Sequence, residues 1–227
     1  MSDVSRETGA AADVRDITIE AEPAAAAVLA GDRADVLRRF ADNLGRFGEE
    51  RGLIGPLEPP RLWSRHILNS AIIAPLLRPG RVGDIGTGAG LPGLVLAIIR
   101  PDVDFVLIEP MERRVAWLEE QSEELGLENV TIVRSRAEDV RLDLPLDQVT
   151  ARAVSALRTL LPLTAPLLRN GGELVLMKGA SVDAEIAAAE KQLRKFKVSG
   201  VRVDVLGEGL LDDVTRVVRG IVRATDG

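Results

Sequence analysis

The sequence predicts an α/β fold: a Rossmann-like, seven-stranded, mostly parallel sheet preceded by an N-terminal helical extension. Three observations predict it. From Arg81 onward, short β-branched runs alternate with helical stretches, the mark of a parallel sheet covered on both faces. The first of these runs ends in Asp84-Ile85-Gly86-Thr87-Gly88-Ala89-Gly90-Leu91-Pro92-Gly93, a glycine turn that opens onto an apolar helix. Two late strand-like runs, 201–206 and 215–222, pair as a hairpin and suit seven strands better than a six-stranded dinucleotide domain.

Residues 1–20 are small, polar and aperiodic and read as a mobile tail, 21–80 as the helical extension, and 81–227 as the sheet domain. Over 32–50, Val36, Leu37, Phe40, Leu44 and Phe47 recur at helical spacing. Glycine and proline over 52–60 mark a connector. A second helix is expected over 61–77, with Leu62, Ile67, Leu68, Ile72 and Ile73 inward and Pro79-Gly80 ending it. Strand one is 81–85, where Gly83 implies close backbone packing. Strand two is 104–108, and Gly126 stops the helix over 112–125. Strand three is 130–133. Strand four, 148–151, leads to a helix carrying Leu157, Leu160 and Leu161. Strand five, 173–177, follows the turn Asn170-Gly171-Gly172, and a helix over 183–197 precedes the hairpin.

With 46% hydrophobic and 28% charged residues among 227, the composition is that of an ordinary globular chain with a sizeable core. The absence of cysteine excludes disulfides and thiolate chemistry, and a single histidine, His66, argues against a metal site. The apolar runs are too short to span a bilayer, and the one over 24–30 is too short and too late for a secretion signal. A cytoplasmic protein without membrane contact is expected. Net charge is −6, so any contact with nucleic acid must come from a local basic face.

Gly88-x-Gly90-x-x-Gly93 matches the dinucleotide fingerprint, and Glu109 stands near the distance expected of a ribose-binding acid. Asp84 argues otherwise. A carboxylate at the strand tip would face the pyrophosphate of a dinucleotide and repel it. S-adenosylmethionine carries a sulfonium and an ammonium instead, and Glu109 can accept from both ribose hydroxyls. Taken singly, Asp84 also reads as a helix cap and Glu109 as a solvated strand end. A dehydrogenase stays open as the alternative at this point.

Further motifs narrow the choice. Trp63-Ser-Arg-His-Ile-Leu-Asn-Ser70, the glycine loop, Arg134-Ser-Arg-Ala-Glu138, Ala151-Arg-Ala153 and Met177-Lys-Gly179 follow in order. Together they resemble the glucose-inhibited-division protein B family, small-subunit ribosomal RNA methyltransferases of class I, over about residues 32–220. The resemblance implies an S-adenosylmethionine-dependent enzyme that methylates guanine N7 in 16S rRNA (the 530-loop region), with small-subunit RNA or its assembly intermediate as partner. A monomer is expected. It further implies donor contacts at Gly86, Leu91, Ala137, Glu138 and Arg152, beside Asp84, Gly88, Gly90 and Glu109 from the residues themselves. Arg152 can hold the donor's carboxylate or an RNA phosphate, or it can pair with Asp84 or Glu138.

Candidate substrate-site residues are His66, Arg152 and Lys178, none of them required as a general base. The cluster Lys191, Arg194, Lys195, Lys197 reads either as a phosphate-tracking face or as a solvated helix, with Arg38, Arg39, Arg65 and Arg136 as rival RNA contacts. Two positions depart from the family pattern: Asn69 stands where Asp is usual, and Ala151 where Ser is usual. A small-molecule methyltransferase and a non-catalytic RNA-binding module are the alternatives on the same fold.

Overall fold

The computed structural model describes residues 18–152 and 154–223. The expected tail lies outside the described residues as far as residue 17, and its last residues are held. Ile19 packs on the core; the Glu20 amide donates to the Pro59 carbonyl (2.9 Å), and Glu20 Oε2 accepts from the Ser64 amide at 3.0 Å.

One seven-stranded sheet runs in the order β3-β2-β1-β4-β5-β7-β6. The strands are β1 Arg81–Ile85, β2 Asp104–Ile108, β3 Val130–Val133, β4 Leu146–Ala151, β5 Leu168–Lys178, β6 Val198–Leu206 and β7 Thr215–Val222. β1 to β5 pair in parallel, and β7 is antiparallel to both β5 and β6. Bounds for β1, β2, β3 and β7 agree with expectation residue for residue. β5 starts earlier because the Asn170-Gly171-Gly172 turn is absorbed into the strand: pairing jumps from Leu146/Leu168 to Gln148/Glu173 across a β-irregularity. Gly83 is indeed tightly packed, since a Cβ there would lie 2.4 Å from Leu146 Cδ1.

Alternate residues of the strands feed two cores. Phe105 and Leu107 join helices α1 (Ala25–Ala30), α2 (Ala34–Phe47), α4 (Gly93–Ile99) and α5 (Glu112–Glu124) on one face. Val106 and Ile108 join α6 (Leu157–Thr164), α7 (Val182–Ala188) and α8 (Glu190–Lys195) on the other. The N-terminal extension thus shares its core with the sheet. On α2, Leu37, Phe40 and Leu44 are fully buried, while Phe47 is 40% exposed beneath the Arg51 guanidinium.

Two expected helices are broken. Residues 61–77 divide into a 3₁₀ turn at Pro59–Arg61, a π-helical segment at Leu62–Leu68, a short α3 at Asn69–Ala71 and a second 3₁₀ turn at Ala74–Leu76. Pro75 lacks the N–H that a continuing helix needs. The 183–197 helix divides at Ala189, whose ψ of 1° leaves the helical range. Among the described residues no helix is long and apolar enough to cross a membrane. The C-terminal ends of β1 to β5 share one edge of the sheet, and strand order reverses between β1 and β4. A crevice for a ligand opens at that point.

Candidate functional site

The loop from β1 to α4 is shaped by Gly86, Gly88 and Gly90, with φ of +67°, +59° and +93°. Asp84 holds it from below. Its Oδ2 accepts from Thr87 Oγ1 (2.5 Å) and from the Gly93 N–H (2.8 Å) at the start of α4. Its Oδ1 is buried without a hydrogen-bond partner. Burial pushes the Asp84 carboxyl up to about 6, against the pull of Thr87, Gly93 and the Arg152 charge. Glu109 at the tip of β2 is buried too: Oε2 accepts from the Gly88 N–H and Oε1 from the Met111 N–H, both at 3.0 Å. Asp84 is therefore a helix cap through one oxygen only, and Glu109 is not a solvated strand end.

Above the loop lies a cavity of about 290 Å³. Gly86, Thr87, Gly88, Ala89 and Leu91 form its floor, with Arg114 beside them. Leu53, Ile54, Glu58, Arg65 and His66 of the N-terminal extension close it. Gly90 does not line this cavity; it turns the backbone under Leu94, where a Cβ would lie 2.5 Å from Leu94 Cδ1. A second cavity, about 910 Å³, opens toward the ends of β4 and β5, lined among others by Ser64, Asn69, Ser155, Lys178, Thr215 and Arg216. Arg65 and Arg152 line both, so the two spaces adjoin.

Arg152 makes no ion pair among the described residues. Its Nη1 donates to the Arg65 carbonyl (3.2 Å) and its Nη2 to His66 Nδ1 (3.0 Å). The alternative of a pairing with Asp84 or Glu138 is therefore not realised; Asp84 acts on Arg152 only at longer range. Burial lowers the Arg152 guanidinium to about 10, against the Asp84 attraction. His66 Nε2 lies 2.6 Å from Glu58 Oε2. Burial and then the Arg152 charge hold His66 below the usual histidine range, against the pull of Glu58. Burial opposes ionisation of Glu58 itself, but hydrogen bonds from His66 and Arg61 outweigh it and keep that carboxyl below its ordinary value.

Lys178 is neither free nor solvated: its ammonium donates to the Ser155 carbonyl (2.5 Å) and pairs with Glu185 (3.0 Å). Ala137 and Glu138 stand apart from the glycine loop, on a separate pocket of about 360 Å³ with Val140 and Pro162. Asn69 Nδ2 donates to Thr215 Oγ1 at 2.6 Å, and both residues line the larger cavity. Ala151 is fully buried in the second core, so the hydroxyl it lacks would have met apolar side chains. Arg38 pairs with Glu22 and Asp35, and Arg39 reaches the Glu124 carbonyl; both tie α2 in place. Lys191, Arg194, Lys195 and Lys197 precede β6 at Val198, which pairs with Val222 near the N-terminal end of β5. That is the edge of the sheet opposite the cavities. Glu58 was not visible as a site residue in the sequence, because it sits in a glycine- and proline-rich connector and acquires its partners only on folding.

The sequence profile of the family described as "rRNA small subunit methyltransferase G" matches residues 33–213. Ribosomal RNA small subunit methyltransferase G of Leifsonia xyli subsp. xyli is 73% identical over 206 residues, covering 91% of this chain and 99% of its own. The protein of that name from Clavibacter michiganensis subsp. michiganensis is 66% identical, covering 91% and 98%. Among solved structures, TYW2 of M. jannaschii in complex with AdoMet superposes with a TM-score of 0.57 at 21% identity, over 71% of this chain and 78% of its own. A SAM-dependent O-methyltransferase from Thermotoga maritima gives 0.56 at 16%, over 70% and 66%. At these identities the structural likeness concerns the fold alone.

Proposed function

The chain belongs to the rRNA small subunit methyltransferase G family, and from that membership we propose how it works: it methylates N7 of a guanosine in 16S ribosomal RNA across its two adjoining cavities. It is an S-adenosylmethionine-dependent enzyme, and the donor supplies an electrophilic methyl group on a sulfonium. Guanine N7 presents an in-plane lone pair and carries no proton, so its attack needs no general base. The protein's work is alignment and exclusion of water.

The observation that carries this reading is the sharing of Arg65 and Arg152 between the glycine-loop cavity and the larger one. A donor held over Gly86, Gly88 and Leu91 would meet a base entering from the β4–β5 side at these two residues. Asp84 Oδ1 offers a negative charge to a cationic donor, and Glu109, already bound to the Gly88 N–H, stiffens the loop beneath it. Ala137 and Glu138 follow β3 and line a separate pocket, so a contact between them and the donor's adenine is supported by the family pattern and not by the glycine-loop cavity. Small-subunit RNA is the partner, met in the cytoplasm. One copy of the chain is taken as the working unit, since it lines both cavities itself.

Transfer of labelled methyl groups to small ribosomal subunits from a strain lacking the gene tests the proposal. Nucleoside mass spectrometry is expected to show 7-methylguanosine at one site. A different methylated nucleoside would overturn the acceptor atom. Labelling of small molecules alone, with subunits unmodified, would overturn the substrate class.

A further inference from the structure

Glu58, His66 and Arg152 come from three separate parts of the chain: the connector, the π-helical segment and the end of β4. The folded protein joins them in one line of hydrogen bonds, with Glu58 Oε2 2.6 Å from His66 Nε2 and His66 Nδ1 3.0 Å from Arg152 Nη2. A guanidinium can only donate, so Nδ1 must present its lone pair to Arg152. The single proton of the neutral ring then sits on Nε2 and is donated to Glu58. With a second donation from Nη1 to the Arg65 carbonyl, one side of the guanidinium is fixed. Arg152 has five N–H groups, and those not used here remain for a ligand. Glu58 is itself steadied by Arg61 (2.7 Å) and Arg65 (3.4 Å).

We propose that Glu58 is a positioning residue: acting through His66, it selects the imidazole tautomer that orients Arg152 at the junction of the donor and acceptor cavities. This rests on the reading of the two cavities given above. Without the Glu58 carboxylate, only the donation from Arg152 keeps the ring proton off Nδ1, and the other tautomer becomes accessible at the cost of that one bond. The acceptor facing Arg152 would then become a donor, and the guanidinium would be released. The link works through tautomer choice, so its loss should not resemble the loss of a packing contact.

His66 is the only histidine in the sequence, so ¹⁵N spectra of the untagged protein report on it without ambiguity. At neutral pH the ring is expected to carry its proton on Nε2 with Nδ1 bare, and Glu58→Ala is expected to bring in the other tautomer. A ring protonated on Nδ1 in the unsubstituted protein, or a tautomer unchanged by Glu58→Ala, would overturn the inference irrespective of any activity. In methyl transfer to small subunits, Glu58→Ala and His66→Ala should each lower turnover roughly tenfold, the worth of one charge-assisted hydrogen bond. The double substitution should be no worse than the poorer single. His66→Asn places an amide oxygen where Nδ1 stands and should recover part of the loss, whether or not Glu58 is present. Additive losses, or no recovery with Asn, would reduce Glu58 to a structural support and overturn the proposal. Unsubstituted protein that methylates no subunit would instead overturn the function proposed above.

Discussion

Of the two carboxylate oxygens of Asp84, Oδ2 is engaged by Thr87 and Gly93 while Oδ1 is buried with no hydrogen-bond partner, and this asymmetry costs stability. The ordinary value of 3.8 is raised to about 6 by burial. Between those values the folded protein binds more protons at Asp84 than the unfolded chain, so stability falls as pH rises from about 4 to about 6. Above that window the penalty is constant, on the order of 3 kcal/mol for a shift of this size. Asp84→Asn removes the charge and keeps an oxygen for Gly93. The donor-free variant should melt several degrees higher than the unsubstituted protein at pH 8, with the difference shrinking at pH 4. Its affinity for S-adenosylmethionine should fall, because an amide N–H would face a cationic ligand. Melting curves at the two pH values, read beside a calorimetric titration, check both halves. A lower melting temperature at pH 8 would mean that Asp84 matters mainly as the cap of α4.

At the scale of elements, the glycine loop shows two different demands for glycine. Gly93 has no room: a Cβ would lie 2.4 Å from Leu107 Cδ2 and 2.7 Å from Asp84 Oδ2. Gly88 has room, with nothing nearer than 3.9 Å, but its φ of +59° strains any L side chain and its surface faces the cavity. Gly93→Ala should therefore cost roughly 2–4 kcal/mol of stability by overpacking and by disturbing the Asp84 cap. Gly88→Ala should cost about 1 kcal/mol of backbone strain and weaken donor binding out of proportion. Denaturant unfolding beside donor titration separates them, and equal stability losses would refute the distinction. The same scale shows what the sequence could reveal. β1, β2, β3 and β7 were legible because each is a short β-branched run between turn residues. The 61–77 helix was legible only in part: Pro75 marks its break in the sequence itself, but the π winding over Leu62–Leu68 depends on how Trp63, Ile67 and Leu68 seat in the core. Asp84 and Glu109 could be read from their places at strand tips. Glu58 could not: its bonded partners Arg61, Arg65 and His66 are near in sequence, but Arg152, which it reaches only through His66, lies at the end of β4, and chain order alone shows no such link.

For the whole molecule, the difficulty is that a chain of net charge −6 must hold a polyanion. An acidic surface disfavours indiscriminate binding to nucleic acid, so cations placed locally must choose the contact. Two basic regions compete for that role. Arg65 and Arg216 line the larger cavity at the C-terminal edge of the sheet, where methyl transfer is proposed. Lys191, Arg194, Lys195 and Lys197 lie on and just beyond α8, at the opposite edge, where Arg194 is already paired with Glu190 and Lys195 rests on the Phe196 ring. One rigid domain cannot readily present both edges to a single nucleotide. Each phosphate neutralised adds roughly 0.7–0.9 to the slope of log affinity against log salt. Arg216→Ala and Arg65→Ala should each weaken binding to small subunits and lower that slope by somewhat less than one. Lys191→Glu with Lys195→Glu should leave both affinity and slope unchanged, provided the net charge difference is matched by a control elsewhere on the surface. Binding isotherms across a salt series decide the matter. A slope that falls only in the α8 variant would move the RNA to the far edge and require a part of the RNA to reach around the sheet to the cavities.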